Sequence, residues 1–289
     1  MLLRFWTEKK LGVWLTFILA LVALLVWSQV AFASGKGHLV IKVYDVGQGD
    51  SIYIQTPSGY HLLVDGGPND KVINYLNHDL GVGNRQLDLV ILTHPQSDHM
   101  KGLISVLKKF TVKKVLATTA TNQTADFQMW KDSLKAEKLE PIEPLAGDSI
   151  SLADGVTLSF VWPTQEAVKT YTDLNTTCIV FKLSYGSFDA LLTGDADQQV
   201  QPYSGTIGQV EVLKVPHHGS KTGTSQELLD LIKPEVSIIS VAAKNRYGHP
   251  AANTIEMLAN IGSKIFRTDQ NGTIEVESDG ERWYTRTER

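Results

Sequence analysis

Four short stretches place side chains with metal-ligand chemistry just after apolar runs. They are His94, Asp98 and His99 in Thr93-His94-Pro95-Gln96-Ser97-Asp98-His99, Asp195 in Thr193-Gly194-Asp195, the pair His217-His218, and His249. The chain has eight histidines, and five of them fall in these stretches. Imidazole and carboxylate ligands brought together from several loops on a rigid scaffold are how catalytic metal centres are assembled, and such a centre suits hydrolysis. The competing reading of the first stretch is a helix cap made by Ser97 or Asp98. Lys221, just beyond the double histidine, and His249 are candidates for contact with substrate or leaving group. Solvated surface and turn formation are their bland alternatives. Asp50 and Asp65 are either orienting residues behind the ligands or turn formers.

The elements that must position these residues read as short strands and helices. Leu39–Tyr44, Ser51–Ile54 and His61–Val64 are β-rich, with acidic, glycine-punctuated turns between them. Gly47 and Gly49 do not continue into G-x-G-x-x-G, which excludes a dinucleotide loop. Leu87–Leu92 is a strand feeding the first ligand stretch, and a helix is expected to open at Gly102 and run through Leu103–Phe110. Val72–Leu80 and Asp126–Leu139 have helical spacing, with Met129 and Trp130 read as core. Further strands are expected at Val112–Thr118, Thr176–Tyr185, Phe188–Leu192, Val210–Val215 and Glu235–Val241, and two closing strands at Lys264–Thr268 and Thr273–Glu277. The sum is a layered α/β or α+β fold.

A net charge of −4 and a pI near 6.1 argue against binding nucleic acid by global electrostatics alone. Cys178 is the single cysteine, so neither an intramolecular disulfide nor a thiolate metal cage is possible, and no disulfide-linked partner is expected. It reads as a buried small apolar residue. Leu11–Ala33 carries no charge and is long enough to span a bilayer. Arg4, Lys9 and Lys10 precede it against Glu8, which predicts a cytoplasmic N-terminus and an extracytoplasmic remainder. Residues 1–33 are thus read as a single-pass membrane anchor, in preference to a signal peptide cut after Ala31-Phe32-Ala33. Residues 34–37 read as a linker and 38–289 as the hydrolase domain.

Asp45-Val46-Gly47-Gln48-Gly49-Asp50, Thr93 to His99, Leu191 to Asp195 and Val215-Pro216-His217-His218-Gly219-Ser220 resemble the motifs of the metallo-β-lactamase superfamily. With Asn245 to Pro250, they resemble more narrowly the hydrolase domain of ComEC-type DNA-uptake proteins. The resemblance implies an αββα sandwich with the metal site at one edge of two packed sheets. It also implies that Asp98, His99, Asp195 and one of His217 and His218 bind a metal, with Asp195 bridging if there are two ions and Asp98 near the attacking water. Gln96 departs from the pattern, which has His or Asp there, and no histidine lies between His99 and His217. His94 and Asp195 are then left to hold a second ion, so one or two ions of Zn²⁺ or Mn²⁺ are expected. The implied activity is a nuclease or phosphodiesterase acting on DNA. A hydrolase of a small ester, lactam or phosphoester, and a weakly catalytic metal-binding module assisting DNA uptake, are the alternatives.

Overall fold

The computed structural model describes residues 14, 18, 21–22, 37–81, 83–201, 203 and 207–289. The chain divides into two compact units, residues 1–37 and 38–289. In the larger unit the first sheet has the order β16-β15-β1-β2-β3-β5-β7 and the second β14-β13-β12-β11-β10-β9-β8. The first is built around β1 (Leu39–Val43), β2 (Ile52–Gln55), β3 (His61–Val64), β5 (Leu89–Leu92) and β7 (Val115–Ala117), and closed by β15 (Ile274–Ser278) and β16 (Trp283–Thr287). The second runs through β8 (Ser149–Ser151), β9 (Thr157–Trp162), β10 (Val180–Tyr185), β11 (Phe188–Leu192), β12 (Val212–Lys214), β13 (Val236–Ile239) and β14 (Lys264–Arg267). β4 (Gln86–Leu87) and β6 (Thr111–Val112) form a separate parallel pair.

Strand alternation sorts side chains into three apolar layers. Leu39, Ile41 and Val43 of β1 face Phe181 and Leu183 of β10 across the inter-sheet core, with Ile54, Leu158 and Ile238 beside them. Each fully buried side chain of this kind stabilises the fold by about 1.5–3 kcal/mol. The opposite face of the first sheet (Leu63, Val90, Leu92) is covered by α1 (Lys71–Asp79), α2 (Ser97–Lys109) and α3 (Ala125–Ala136) through Val72, Leu103 and Trp130. The outer face of the second sheet (Val180, Leu191, Leu213, Ile239) is covered by α4 (Gln165–Thr170), α5 (Gln226–Ile232) and α6 (Ala252–Asn260). The architecture is therefore helix–sheet–sheet–helix. Within the strand expected at Thr176–Tyr185, side chains divide as the pleat requires: Cys178 and Val180 enter the outer layer, Ile179, Phe181 and Leu183 the inner one.

Direction explains why the ligands meet. β3 and β5 are parallel, as are β11, β12 and β13, so their C-terminal ends lie at a common edge of each sheet. The Ile179 amide donates to the Thr93 carbonyl at 2.9 Å, tying the second sheet's approach to β10 directly to the end of β5.

Several expectations need correction. The expected membrane span over Leu11–Ala33 lies outside the described residues apart from Trp14, Ile18, Leu21 and Val22. No helix among the described residues is long and apolar enough to cross a membrane. A span needs about 20 consecutive apolar helical residues, so the single-pass, extracytoplasmic assignment loses its basis. The helix expected from Gly102 starts at Ser97, because its first turn is polar and gives no apolar periodicity. The strand expected over Leu87–Leu92 is broken at Asp88, whose carboxylate accepts from the His61 amide and pairs with Lys113. A third closing strand, β16, pairs with β15 at the sheet edge. Trp130 is core, but Met129 is 43% exposed.

Candidate metal centre

Asp98 and His99 stand in the first turn of α2, held there by backbone contacts rather than by a cap. The residue preceding the helix, Gln96, makes no side-chain cap, and neither Ser97 nor Asp98 serves as one. Instead the Gly66 amide donates to the His99 carbonyl at 2.7 Å and the Gly102 amide to the Gly67 carbonyl at 2.9 Å. A Cβ on Gly102 would collide with the Gly66 carbonyl, so this approach of helix to loop requires glycine. Asp65, at φ 58°, lies behind the motif. Its carboxylate accepts from the Thr93 amide (2.8 Å), the Thr93 hydroxyl (2.7 Å) and His99 Nδ1 (2.8 Å). His99 Nδ1 is thereby fixed as donor and Nε2 is aimed inward, the arrangement in which carboxylates orient metal-binding imidazoles.

Asp195 is the point on which the rest converge. Its Oδ2 lies 3.3 Å from His99 Nε2, 3.4 Å from His218 Nε2, 3.9 Å from His217 Nε2 and 4.0 Å from His94 Nε2. His218 Nε2 is also 3.4 Å from Asp98 Oδ2. One ligand atom from each of Asp98, His99, Asp195 and His218 falls within 4.8 Å of the other three, a spacing that fits one metal ion. His217 is not part of that group. Both histidines adopt left-handed backbone (φ 50° and 55°), uncommon for residues with a Cβ. The conformation turns His218 inward, where it is buried, and leaves His217 partly open at the mouth, its side chain 25% exposed. His218 Nδ1 donates to the Ser240 carbonyl at 3.0 Å, which leaves Nε2 facing the cluster.

The fit to a cation is visible in what these atoms lack. His94 Nε2, His99 Nε2, His218 Nε2 and Asp195 Oδ1 are buried without a hydrogen-bond partner. Groups of this kind are costly to bury unless something binds them. A set of nitrogen and carboxylate-oxygen ligands suits zinc or a harder divalent ion. The charges of the site are set by one another. Burial works against a charge on His218, but Asp195, Asp50 and Asp98 outweigh it and hold its pKa up at about 9. Burial likewise opposes ionisation of Asp195, yet His218 and His99 keep it well below the usual carboxylate range. His94, desolvated and beside His99, is pushed down to about 3 and is neutral.

The remaining residues singled out in the sequence divide. His249 sits against the centre: its ring packs edge-on to His217 at 5.6 Å, and its Nδ1 is buried without a partner. Lys221 is exposed and makes no side-chain hydrogen bond or ion pair among the described residues, so nothing places it on the centre. Asp50 is fully buried beside His218, with Oδ1 3.5 Å from Nδ1.

Three participants were not legible as such. Lys214, buried, pairs with Asp50 Oδ2 at 2.6 Å. Its signal was a charge inside an otherwise apolar strand, which can persist only with a partner. Asn175 accepts from Gln96 Nε2 at 2.8 Å and reaches His217, and no pattern in the sequence announces it. Cys178, read only as a small apolar residue, accepts from the Asp195 amide at 3.3 Å and lies 3.6 Å from His94 Nδ1. Burial and the nearby Asp195 and Asp65 push its thiol up to about 12, so it acts as a neutral positioner.

The family profile of the Metallo-beta-lactamase superfamily matches residues 44–243. The chain is 28% identical over 256 residues to ComE operon protein 3 of Bacillus subtilis (strain 168), covering 81% of this chain and 32% of that protein. It is 27% identical over 254 residues to Competence protein ComA of Neisseria gonorrhoeae, covering 83% and 32%. The chain thus spans about a third of the length of the curated relatives it matches. Among solved structures, CmlA, a diiron beta-hydroxylase from Streptomyces venezuelae, shares the fold with a TM-score of 0.50 at 14% identity, covering 80% of this chain and 53% of CmlA.

Proposed function

The chain belongs to the metallo-beta-lactamase superfamily, and from that membership and its centre we propose a metal-dependent phosphodiesterase that cleaves DNA in the setting of DNA uptake. The observation that carries the hydrolase reading is the Asp98–His99–Asp195–His218 cluster with its buried, unpartnered ligand atoms. When bound, an ion such as Zn²⁺ or Mn²⁺ supplies Lewis acidity, bringing the pKa of water towards about 7 and polarising a phosphoryl oxygen. Asp98 has the most accessible carboxylate of the set, 29% exposed against 1% for Asp195, so it faces the side from which water and substrate arrive. His249, behind His217 with a free Nδ1, is placed for contact with the leaving group.

Two features support nucleic acid over a small ester or lactam. The relatives that align along four-fifths of this chain carry competence names. The loop leading to His249 presents Tyr247, 54% exposed, its ring 5.6 Å from the His249 ring and its centroid 5.0 Å from the Arg246 guanidinium. An exposed aromatic ring with an adjoining cation beside a hydrolytic centre is a stacking platform for an unpaired base. Because the chain's net charge is −4, this local site must supply what the global field does not.

The test is incubation of the chain with single- and double-stranded DNA, a generic phosphodiester and nitrophenyl esters under Mn²⁺ or Zn²⁺. Cleavage of DNA, with single strands preferred and the preference lost in Tyr247→Ala, is the expected result. Hydrolysis of esters and never of DNA would replace the phosphodiesterase reading with the small-ester one, and inactivity of the metal-loaded chain would end both.

A further inference from the structure

We infer that this centre holds a single metal ion, and that an amide bridge from Gln96 through Asn175 keeps His217 out of the ligand set as a hydrogen-bond donor facing the substrate. This deepens the hydrolase reading and rests on it.

Gln96 Nε2 donates to Asn175 Oδ1 at 2.8 Å, across 79 positions of sequence. With its oxygen engaged, the Asn175 amide presents Nδ2, a donor, to His217 Nδ1 at 3.4 Å. A ring nitrogen that accepts carries no proton, so Nε2 is the ring nitrogen left to bear one. That nitrogen is the one turned towards Asp195, 3.9 Å from Oδ2 and beyond hydrogen-bond reach. A protonated ring nitrogen cannot ligate a metal, but it can donate to an oxygen placed between it and the centre. His217, unlike His218, is also open at the mouth, where such an oxygen would arrive.

The count of ligands then decides the number of ions. Asp98, His99, Asp195 and His218 make one complete set. A second ion would have His94, a share of Asp195 and neutral amides already bonded to each other. Three protein ligands are the usual complement of a catalytic zinc, and this half of the centre offers two. Gln96 and Asn175 are thus positioning residues that replace ligands with a hydrogen-bonded relay.

The experiment strips the full chain with chelator, reloads it with excess Mn²⁺ or Zn²⁺, desalts it, and counts ions by mass spectrometry. One ion per chain is expected in the wild type and in His217→Ala, and loss of the ion in His218→Ala. Two tightly held ions in the wild type, or loss of the ion in His217→Ala, would overturn the inference. Replacing both amides by Gln96→His with Asn175→His is expected to raise the count to two. A folded double variant that stays at one would show that the amides are not what limits the site, against the inference. Gln96→Glu, nearly isosteric, repeats this test if the double variant does not fold. Nitrogen-15 chemical shifts of the His217 ring in the metal-free chain read the tautomer, with the proton expected on Nε2; a proton on Nδ1 contradicts the relay. Neither readout depends on any substrate being cleaved, so failure of the nuclease reading and failure of this inference are distinguishable.

Discussion

Lys42, Tyr44 and Asp79 form a cluster in which each charged or polar atom finds a partner, whereas the centre around Asp195 is built from atoms that find none. Lys42 Nζ donates to Asp79 Oδ1 and the Tyr44 hydroxyl to Asp79 Oδ2, both at 2.7 Å. Around Asp195, the Nε2 atoms of His94, His99 and His218 are buried and point at one carboxylate without hydrogen-bonding it. The first arrangement is what a fold does with charge when only stability matters. The second is costly in the folded chain, and it persists because strands, glycine contacts and orienting carboxylates hold each ligand in place for an ion that offsets the cost. Several unsatisfied ligand atoms converging on one carboxylate therefore mark the candidate centre more clearly than the mere presence of charged residues does.

The largest expected effect breaks the scaffold of the centre rather than the centre itself. Lys214→Met leaves the buried Asp50 without its lysine, and should destabilise the chain by about 3–5 kcal/mol in urea unfolding. Pairing it with Asp50→Leu should recover much of that loss, since removing both charges removes the desolvation problem. If Lys214→Met alone were neutral, the pair would not be part of the support.

Asp195→Asn should do the reverse: a folded chain that retains no metal and loses at least about a hundredfold in hydrolysis, more than loss of a residue that only orients a ligand. Asp65→Asn removes such an orienting group. It weakens the hold on His99 Nδ1, so metal affinity measured by chelator competition should fall by roughly 10–100-fold. Equal affinities in Asp65→Asn and wild type would mean that the carboxylate only shapes its turn.

The smallest effect belongs to the satisfied cluster. Asp79→Asn should cost about 1 kcal/mol, with metal binding unchanged. Burial tends to raise the Asp79 pKa, but the hydrogen bonds from Lys42, Tyr44 and His78 overcome it and the net shift is downward. A lowered carboxyl pKa gives stability that is present above the unfolded value, near 3.9, and is lost as pH falls through the folded one. The difference between Asp79→Asn and wild type should therefore be seen at pH 6 and shrink at pH 3. A difference that persists unchanged at pH 3 would remove the ionised pair as its cause.

How far the sequence could be read follows from the range of each signal. Strands β1, β3, β5 and β11 were legible as apolar runs, and the candidate ligands His94 and Asp195 stood out after β5 and β11 because an apolar run followed by His or Asp is a local pattern. The start of α2 was not, since Ser97-Asp98-His99 carries chemistry in place of apolar periodicity and is fixed by contacts with Gly66 and Gly67. The same limit applies to Asn175 and Lys214, whose roles exist only through partners distant in the chain, Gln96 and Asp50. The choice left open between His217 and His218 rests on two left-handed residues in succession, which the motif Pro216-His217-His218-Gly219 does not display as a pattern. The uncharged run at the N-terminus shows the opposite hazard, a local pattern strong enough to suggest a span that no helix among the described residues provides.

On the proposed reading, one ion held by Asp98, His99, Asp195 and His218 drives phosphodiester hydrolysis. The most direct test of this is the rate of cleavage of a labelled single-stranded oligonucleotide by chelated chain as Mn²⁺ or Zn²⁺ is added back, with Asp195→Asn measured alongside. Activity that is absent without metal, saturates with it and never returns in Asp195→Asn is the predicted result. Undiminished cleavage by the chelated chain, or full activity of Asp195→Asn, would contradict it.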